Sequence, residues 1–234
     1  MLPQRLVDAV HEVGRAFPGA SAAFDADGTL WRDDVGEAFL ARLVQKKLVQ
    51  LPDGRDPFAA YEGMVAQDRG KGFAYAAQLQ AGIPEAILRE EARALAAEWV
   101  KPRLIARTQA LLALCEKAGL KTQIVSASPI QIVRVAAPLA GIPAERCLGM
   151  TVRIDEHGRC TDELVLPITY AAGKVEALAR ARLVPIALGA GDSIFGDLAL
   201  LSAARVPVVI AGAQGSALAT EGETRGWVVL RDSV

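Results

Sequence analysis

The sequence has little histidine and little cysteine, and this scarcity excludes several kinds of site. Its 234 residues include 2 histidines and 3 cysteines. Because zinc in proteins is bound mainly by cysteine and histidine, a histidine-rich zinc site is excluded. The cysteines are Cys115, Cys147 and Cys160, which have no paired metal-ligand spacing. We therefore expect reduced thiols in a cytoplasmic protein.

An excess of one charge and a long apolar run are also lacking. The net charge is −1, so there is no bulk electrostatic reason to expect nucleic acid or an anionic membrane as a partner. No segment approaches the roughly 18 continuous apolar residues that span a bilayer. Residues 1–20 mix apolar and charged side chains at helical spacing, which predicts an amphipathic packing helix and not a signal peptide. The sequence leaves the oligomeric state open.

What the sequence does have is an alternation of short apolar runs with helical patterns. The runs are bounded by Gly, Ser, Asp or Pro, which is typical of buried strands in a parallel sheet. The predicted strands are residues 21–24, 122–125, 185–188, 206–210 and 227–230. Helices are predicted from Pro102 to Gly119, from Pro129 onward and after Gly173. This alternation predicts the α/β class, with a doubly wound, mostly parallel sheet.

One long stretch, residues 33–101, does not follow that alternation. It looks helical, with no convincing strand and with loops at 51–57 and 70–72. An ordinary strand-to-helix connection needs only about 2–6 residues. We therefore predict a helical cap domain at 33–101, inserted into a core domain made of 1–32 and 102–234. A β-hairpin is predicted at 150–166.

The first predicted strand ends in a motif with two carboxylates, Asp25-Ala26-Asp27-Gly28-Thr29. Like charges this close are costly unless a cation lies between them or one of them is protonated. Gly28 permits a tight turn that brings backbone N–H groups toward an anion. The alternative interpretation of these residues is an ordinary Asp-Gly turn.

A second acidic motif, with Asp192 and Asp197, follows the predicted strand 185–188. If both strands are parallel members of one sheet, Asp25, Asp27 and Asp192 emerge at the same carboxyl edge. Three acidic oxygen donors suit a hard cation such as Mg²⁺ and not a thiophilic metal. A single acid of this kind is commonly a solvated loop residue, but the set of three favours a metal site.

Two further groups could meet an anion at this edge. Ser126 follows the strand 122–125, and its hydroxyl and the backbone N–H groups of Ser126, Ala127 and Ser128 could hold phosphate oxygens. Lys174 opens a helix and could neutralise the anion directly. Taken singly, a serine that ends a strand is usually a cap and a lysine on a helix is usually solvated.

In this order, these residues resemble the haloacid dehalogenase (HAD) superfamily of phosphohydrolases. The resemblance covers four motifs, namely Asp25-x-Asp27-Gly28-Thr29, Ser126, Lys174, and Gly191-Asp192-Ser193 with Asp197. The helical insert at 33–101 is similar to the C1-type cap of the superfamily, and the run 125–129 is similar to its phosphoserine-phosphatase-like branch. The resemblance implies a HAD-like Rossmannoid core.

The resemblance also implies a Mg²⁺-dependent phosphatase that hydrolyses a small phosphomonoester through an aspartyl-phosphate. Asp25 would be the nucleophile, and Asp27 would act as the acid and then the base. The resemblance places Lys174, Ser126, Ala127 and Gly28 at the phosphate. It places the Asp25 carboxylate, the Asp27 carbonyl and Asp192 at Mg²⁺. Asp197 and Ser193 would support these residues without binding the metal. Asp27 disfavours dehalogenation, because a halide leaves without a proton.

The sequence differs from the phosphoserine phosphatase pattern at positions that bear on the identity of the substrate. Asp34 stands where those enzymes carry a Glu nine positions after the nucleophile, and Phe195 lies where polar residues are usual. Arg69 lies in the glycine-flanked stretch 68–72, which could bind a substrate carboxylate or form an exposed charged turn. The predicted substrate class is a small amine-bearing phosphomonoester, such as phosphoserine or a phosphocholine-like compound. A phosphotransferase or phosphomutase shares every core motif, and a non-catalytic binding module is a further alternative.

Overall fold

The computed structural model describes residues 2–212 and 215–231. The α-helices of this part are α1 (Gln4–Ala16), α2 (Val35–Gln45), α3 (Pro57–Gln67), α4 (Arg69–Gln78), α5 (Glu85–Trp99), α6 (Ala106–Lys117), α7 (Ile130–Ala136), α8 (Ala172–Arg180), α9 (Leu198–Ala203) and α10 (Ala217–Thr224). The strands are β1 (Ser21–Phe24), β2 (Lys121–Pro129), β3 (Cys147–Met150), β4 (Val152–Ile154), β5 (Cys160–Leu164), β6 (Ile186–Gly191), β7 (Val206–Ala211) and β8 (Val228–Arg231). Short 3₁₀ helices lie at Lys101–Arg103, Ala137–Ala140 and Ala144–Arg146.

The main sheet has six strands in the order β3-β2-β1-β6-β7-β8. Strand β1 is parallel to both of its neighbours, β2 and β6, and β7 is parallel to β6 and β8. Strands β4 and β5 form a separate antiparallel pair, as the predicted hairpin requires. The predicted α/β class with a mostly parallel sheet is therefore confirmed.

Strand β1 has the burial that a central parallel strand requires. All four of its residues are buried, because helices cover both faces of such a sheet. Helix α1 buries Leu6, Val10 and Val13 on one face, so the amphipathic helix predicted at the start of the chain is confirmed.

The five predicted strands are all present; the first has the predicted bounds, and the other four have shifted ends. They correspond to β1, β2, β6, β7 and β8. Strand β3 was not predicted, since Cys147–Met150 contains a glycine and no β-branched residue. A Cβ atom on Gly149 would lie 3.0 Å from the Ser128 carbonyl oxygen, so a glycine is needed where these segments meet.

The chain divides into two compact units. One contains residues 1–33, 103–125 and 170–234, and the other contains 34–102 and 126–169. The second unit holds the four helices α2 to α5, and also α7 and the strands β3 to β5. The assignment of 33–101 to a cap domain and of 1–32 and 102–234 to a core domain stays a prediction.

The predicted loop at 70–72 is wrong, because these residues belong to the first turn of α4. The Asp68 side chain accepts a hydrogen bond from the Lys71 backbone N–H at 3.1 Å and caps the helix. Gly72 is buried, and a Cβ atom there would lie 2.7 Å from the backbone N and Cα of Val65 in α3. This glycine therefore serves close helix packing and not chain flexibility.

Two properties of the described residues bear on the predicted surroundings of the protein. None of the helices among residues 2–212 and 215–231 combines the length and apolar character needed to cross a membrane. All three cysteines are buried and free, and burial raises the pKa of each thiol. The cytoplasmic location stays a prediction.

Candidate active site

The register of β1 and β6 places two acidic motifs at one edge of the sheet. Phe24 is paired with Ala190, and the Asp25 backbone N–H donates to the Ala190 carbonyl oxygen at 2.9 Å. Both strands run in the same direction, so Asp25 and Asp192 follow their carboxyl ends. Ligands of open α/β sheets bind outside this edge.

Three carboxylates meet there, those of Asp25, Asp192 and Asp197. One oxygen atom of each lies within 4.8 Å of the others. Asp25 and Asp197 are buried and Asp192 is partly exposed, so the group opens to solvent on the side of Asp192. A cavity of about 310 Å³ adjoins Asp192 and is lined also by Gly28, Arg32 and Ser216.

The buried ammonium group of Lys174 links two of these acids. Its Nζ lies 2.5 Å from Asp25 Oδ1 and 2.6 Å from Asp197 Oδ1, and the side chain is 2% exposed. Lys174 lies in the first turn of α8, which begins at Ala172. A buried ammonium between two carboxylates is compensated in charge, whereas removal of one partner would leave an unpaired buried charge.

Asp197 organises the loop that follows β6. Its second oxygen, Oδ2, accepts hydrogen bonds from the backbone N–H groups of Asp192 at 3.1 Å and Ser193 at 3.0 Å. With Lys174 on the other oxygen, its carboxylate is held by three protein donors. Gly191 makes this approach possible, because a Cβ atom there would lie 2.5 Å from Asp197 Cβ. Asp197 therefore positions the loop and the lysine.

Asp27 has a different surrounding from these acids. Its Oδ1 accepts a hydrogen bond at 2.7 Å from the indole Nε1 of Trp31, which is fully buried. The turn between them is closed by the Gly28 N–H, which donates to the Trp31 carbonyl oxygen at 2.8 Å. Gly28 has a φ of 73°, and a Cβ atom there would overlap the Asp192 carboxylate, so only glycine fits.

The electrostatics of the cluster favour an added positive charge. Burial and then the negative charge of Asp197 raise the pKa of Asp25 well above its usual range, although Lys174 opposes this. Burial and Asp197 likewise raise the pKa of Asp192 to about 7. For Lys174, burial disfavours the charged form, but the charges of Asp197 and Asp25 outweigh it and raise its pKa. The carboxylates are therefore in excess over the single lysine.

The sequence also matches a known protein family. Residues 22–202, more than half of the chain, match the family described as haloacid dehalogenase-like hydrolase. The chain belongs to this family. The resemblance of the four motifs to the HAD superfamily is thereby confirmed. No curated protein matches the sequence.

Solved structures share the fold of this HAD chain. A protein with unknown function from Bordetella pertussis Tohama I has a TM-score of 0.73 at 20% identity, over 91% of this chain and 98% of that one. A HAD family hydrolase from Salmonella enterica subsp. enterica serovar Typhi has a TM-score of 0.60 at 20% identity, over 94% and 75%. A phosphoserine phosphohydrolase-like protein from Francisella tularensis subsp. tularensis SCHU S4 has a TM-score of 0.60 at 17% identity, over 92% of this chain and 95% of that one. At these identities the similarity concerns the fold.

The donor set of the HAD chain fits a divalent cation. Hard cations prefer carboxylate oxygens, and Asp25 and Asp192 offer them within 4.8 Å of each other. Burial is the largest cause of the raised pKa of Asp192, and the negative charges of Asp197 and Asp27 add to it. A bound cation would compensate those charges. The oxygens of Asp197 already accept from protein donors, which makes Asp197 the least suited of the three to bind metal.

The remaining predicted residues lie in the second compact unit, where the structure gives each a local role. Ser126 is buried, and its Oγ accepts from the Ser128 backbone N–H at 3.0 Å, next to the half-buried Ala127. Asp34 caps α2, since its side chain accepts from the Glu37 N–H at 2.8 Å. Arg69 is the first residue of α4. Their predicted contacts with phosphate or substrate stay predictions.

Trp31 is a site residue that the sequence did not predict. The spacing of Asp27 and Trp31 does not by itself predict a contact. Side chains four residues apart are neighbours on a helix, but these two residues lie in a turn. A fully buried tryptophan usually has a hydrogen-bond partner for its N–H. The sequence does not show that Trp31 is buried, so this rule could not be applied to it. Thr169 was missed for the same reason, and its Oγ1 donates to the Ser126 carbonyl oxygen at 2.5 Å.

Proposed function

We propose that this chain is a Mg²⁺-dependent phosphatase that hydrolyses a small phosphomonoester. One observation carries the proposal, namely the buried Lys174 held between Asp25 and Asp197 beside the carboxylate of Asp192. A carboxylate at the end of a buried strand, with a fixed cation next to it, is suited to attack an electrophile that bears negative charge. Membership of the HAD hydrolase family supports this chemistry.

Asp25 and Asp27 take the covalent and the proton-transfer roles in this proposal. An Asp25 oxygen forms a bond to phosphorus while the bond from phosphorus to the ester oxygen breaks, and Asp27 gives that oxygen a proton. Asp27 then accepts a proton from water as the water oxygen attacks the phosphorus of the aspartyl-phosphate. Inorganic phosphate leaves and the Asp25 carboxylate is restored.

The other residues hold charge in place. Lys174 compensates part of the negative charge on Asp25 and on the transferring phosphoryl group. The residues that would hold Mg²⁺ are Asp25, Asp192 and the carbonyl of Asp27, with Asp197 and Ser193 fixing the Asp192 loop. When bound, Mg²⁺ neutralises phosphate charge so that an anionic carboxylate can approach it. Gly28, Ser126 and Ala127 are proposed to contact phosphate oxygens.

The substrate class is proposed from the residues of the second unit. Asp34 is half-buried at the start of α2, where its side chain caps the helix, and we assign its negative charge to a substrate amine. Arg69 is the candidate for a substrate carboxylate. A small phosphomonoester with an amine, such as phosphoserine or a phosphocholine-like compound, suits this pair. The solved phosphoserine phosphohydrolase-like neighbour supports the choice at the level of the fold.

Phosphate release from p-nitrophenyl phosphate and from a panel of small phosphomonoesters tests the proposal. We expect release that depends on Mg²⁺, that Asp25→Asn abolishes, and that Asp8→Asn leaves unchanged. Asp8 is a matched control because its carboxylate is exposed on α1. Release without any acceptor alcohol would separate a hydrolase from a phosphotransferase. Turnover that persists at the wild-type rate in Asp25→Asn, or no release from any ester, would contradict the proposal.

A further inference from the structure

The second compact unit contains a cavity of about 450 Å³ that the proposed catalysis does not use. It lies between α5, which contributes Arg89 and Arg93, and α7, which contributes Gln131 and Arg134. A volume of this size is within the range of about 300–1,000 Å³ that is usual for small-molecule sites. The cavity is therefore large enough to hold a small-molecule ligand.

Positive charge is concentrated around this cavity. Arg89 and Arg93 are four residues apart on α5, so they lie on one face of the helix. Arg134 lines the same cavity from α7. All three arginines are exposed, and like charges four residues apart on a helix repel each other. Such a grouping is more readily understood if an anion occupies the space between the arginines.

The ion pairs of the described residues leave two of these charges uncompensated. Arg89 Nη2 lies 3.3 Å from Glu85 Oε2, and Glu85 is the one acid among the described residues that line the cavity. Arg93 and Arg134 have no ion pair or hydrogen bond among residues 2–212 and 215–231. Three arginines and one glutamate give an excess of two positive charges at the cavity. Two free guanidinium forks match a head group with two negative charges.

The rest of the lining indicates what a ligand would carry besides charge. Ile130, Val135 and Ala144 give the cavity apolar walls. Gln131 is 8% exposed, and among the residues that the structure describes its amide N–H has one partner, the weak acceptor Cys160 Sγ at 3.8 Å. Apolar walls with a few convergent polar groups are the usual composition of a site for a small organic molecule.

We propose that the cavity between α5 and α7 binds a small organic dianion, with its doubly charged head group on Arg93 and Arg134 and its apolar body against Ile130 and Val135. The head group is a phosphate or a dicarboxylate, since both present paired oxygens to guanidinium. The site is separate from the Asp25 cluster in sequence and chemistry. It therefore does not depend on the proposed phosphatase activity.

Isothermal titration calorimetry of the full chain without Mg²⁺ tests this site. The probes are phenylphosphonate, phenylsuccinate and the monoanion benzoate, so the two dianions distinguish the head groups. We expect saturable binding of at least one dianion to a single site, and much weaker binding of benzoate. The double variant Arg93→Gln/Arg134→Gln should weaken the dianion by about tenfold or more for each arginine removed.

Two further variants make the test specific. Arg153→Gln/Lys71→Gln removes two exposed positive charges of the same unit outside the cavity and should leave the affinity unchanged. Ala144→Phe should weaken binding by filling the cavity without changing its charge, provided that its melting curve shows a folded protein. No saturable binding of either dianion, or equal affinity in the wild type and the double arginine variant, would overturn the proposal.

Discussion

The indole N–H of Trp31 donates a hydrogen bond to the carboxylate of Asp27. Trp31 Nε1 lies 2.7 Å from Asp27 Oδ1, and the ring is fully buried, so the donor cannot turn away to solvent. Hydrogen bonds to charged groups are worth about 1.5–3 kcal/mol. This contact therefore both orients the group to which we assign proton transfer and stabilises its ionised form.

The substitution Trp31→Phe tests this positioning role. It keeps an aromatic ring but removes the donor, so we expect kcat to fall by about tenfold or more. The limb of the pH–rate profile that Asp27 governs should move to higher pH, because the ionised carboxylate loses its stabilising donor. Steady-state assays across the pH range give both quantities.

The matched control for this substitution is Trp227→Phe. Trp227 lies in the same compact unit, where it stacks under the Arg225 guanidinium at 5.1 Å from the ring centroid. Its replacement should leave the pH–rate profile unchanged. A Trp31→Phe enzyme with the wild-type profile and rate would show that the indole has only a packing role.

Sequence and structure differ in what they reveal at the scale of single residues. Asp25 and Asp192 follow strands and Lys174 lies in the first turn of a helix, as their spacing predicts. Ser126 was predicted to follow a strand that ends at residue 125, but β2 continues to Pro129 and contains it. The contact between Trp31 and Asp27 could not be predicted, because it depends on the path of one turn. Turn geometry depends on backbone angles such as the positive φ of Gly28, which permits the turn but does not specify which side chains meet.

At the scale of elements, two glycines in α3 and α4 have opposite surroundings. Gly72 in α4 faces Val65 of α3 with no room for a side chain. Gly63 in α3 is exposed, and nothing lies within 4 Å of the Cβ atom it would carry. The same residue type therefore supports helix packing at one position and only weakens a helix at the other.

Alanine substitutions at these glycines should change stability in opposite directions. Gly72→Ala should lower the free energy of unfolding by about 1–3 kcal/mol, because the added methyl group overpacks the contact between α3 and α4. Gly63→Ala should raise it by up to about 1 kcal/mol through helix propensity. Urea unfolding followed by circular dichroism measures both. A destabilising Gly63→Ala or a neutral Gly72→Ala would contradict the packing described for these helices.

The predictions for elements succeeded where a pattern was local. Short apolar runs predicted five strands of the sheet, and the hairpin at 150–166 was predicted from its turn. The sequence predicts a loop at 70–72, because two closely spaced glycines usually interrupt a helix. Tertiary packing against α3 reverses that preference, since only glycine allows the close approach. Strand β3 was missed because its formation depends on a neighbouring strand and not on its own composition.

At the scale of the whole molecule, the acidic cluster couples stability to pH and to metal. The pKa of Asp192 is raised to about 7, and that of Asp25 is raised in the same direction. The folded state thus holds these protons more tightly than the unfolded state, where a carboxyl titrates near its usual value of about 4. The resulting stabilisation is complete below that value and is lost as the pH rises through about 7.

Melting temperatures with and without Mg²⁺ test this coupling. Without metal, the melting temperature should fall between about pH 6 and about pH 8, as Asp192 loses its proton in the folded state. Mg²⁺ should raise it more at the higher pH, because the cation binds only the ionised carboxylates. In Asp192→Asn the response to Mg²⁺ should largely disappear. An equal response at both pH values, or an unchanged response in Asp192→Asn, would contradict a metal site at this cluster.

The most direct test of the proposed chemistry is to trap the phosphoryl group on the protein. During turnover with Mg²⁺, acid quenching and peptide mass mapping should find one phosphoryl group on Asp25, stable in acid and released by mild base. Asp8→Asn should show the same adduct, and Asp25→Asn should show none. A phosphoryl group on any other residue, or turnover with no adduct under rapid quenching, would contradict Asp25 as the nucleophile.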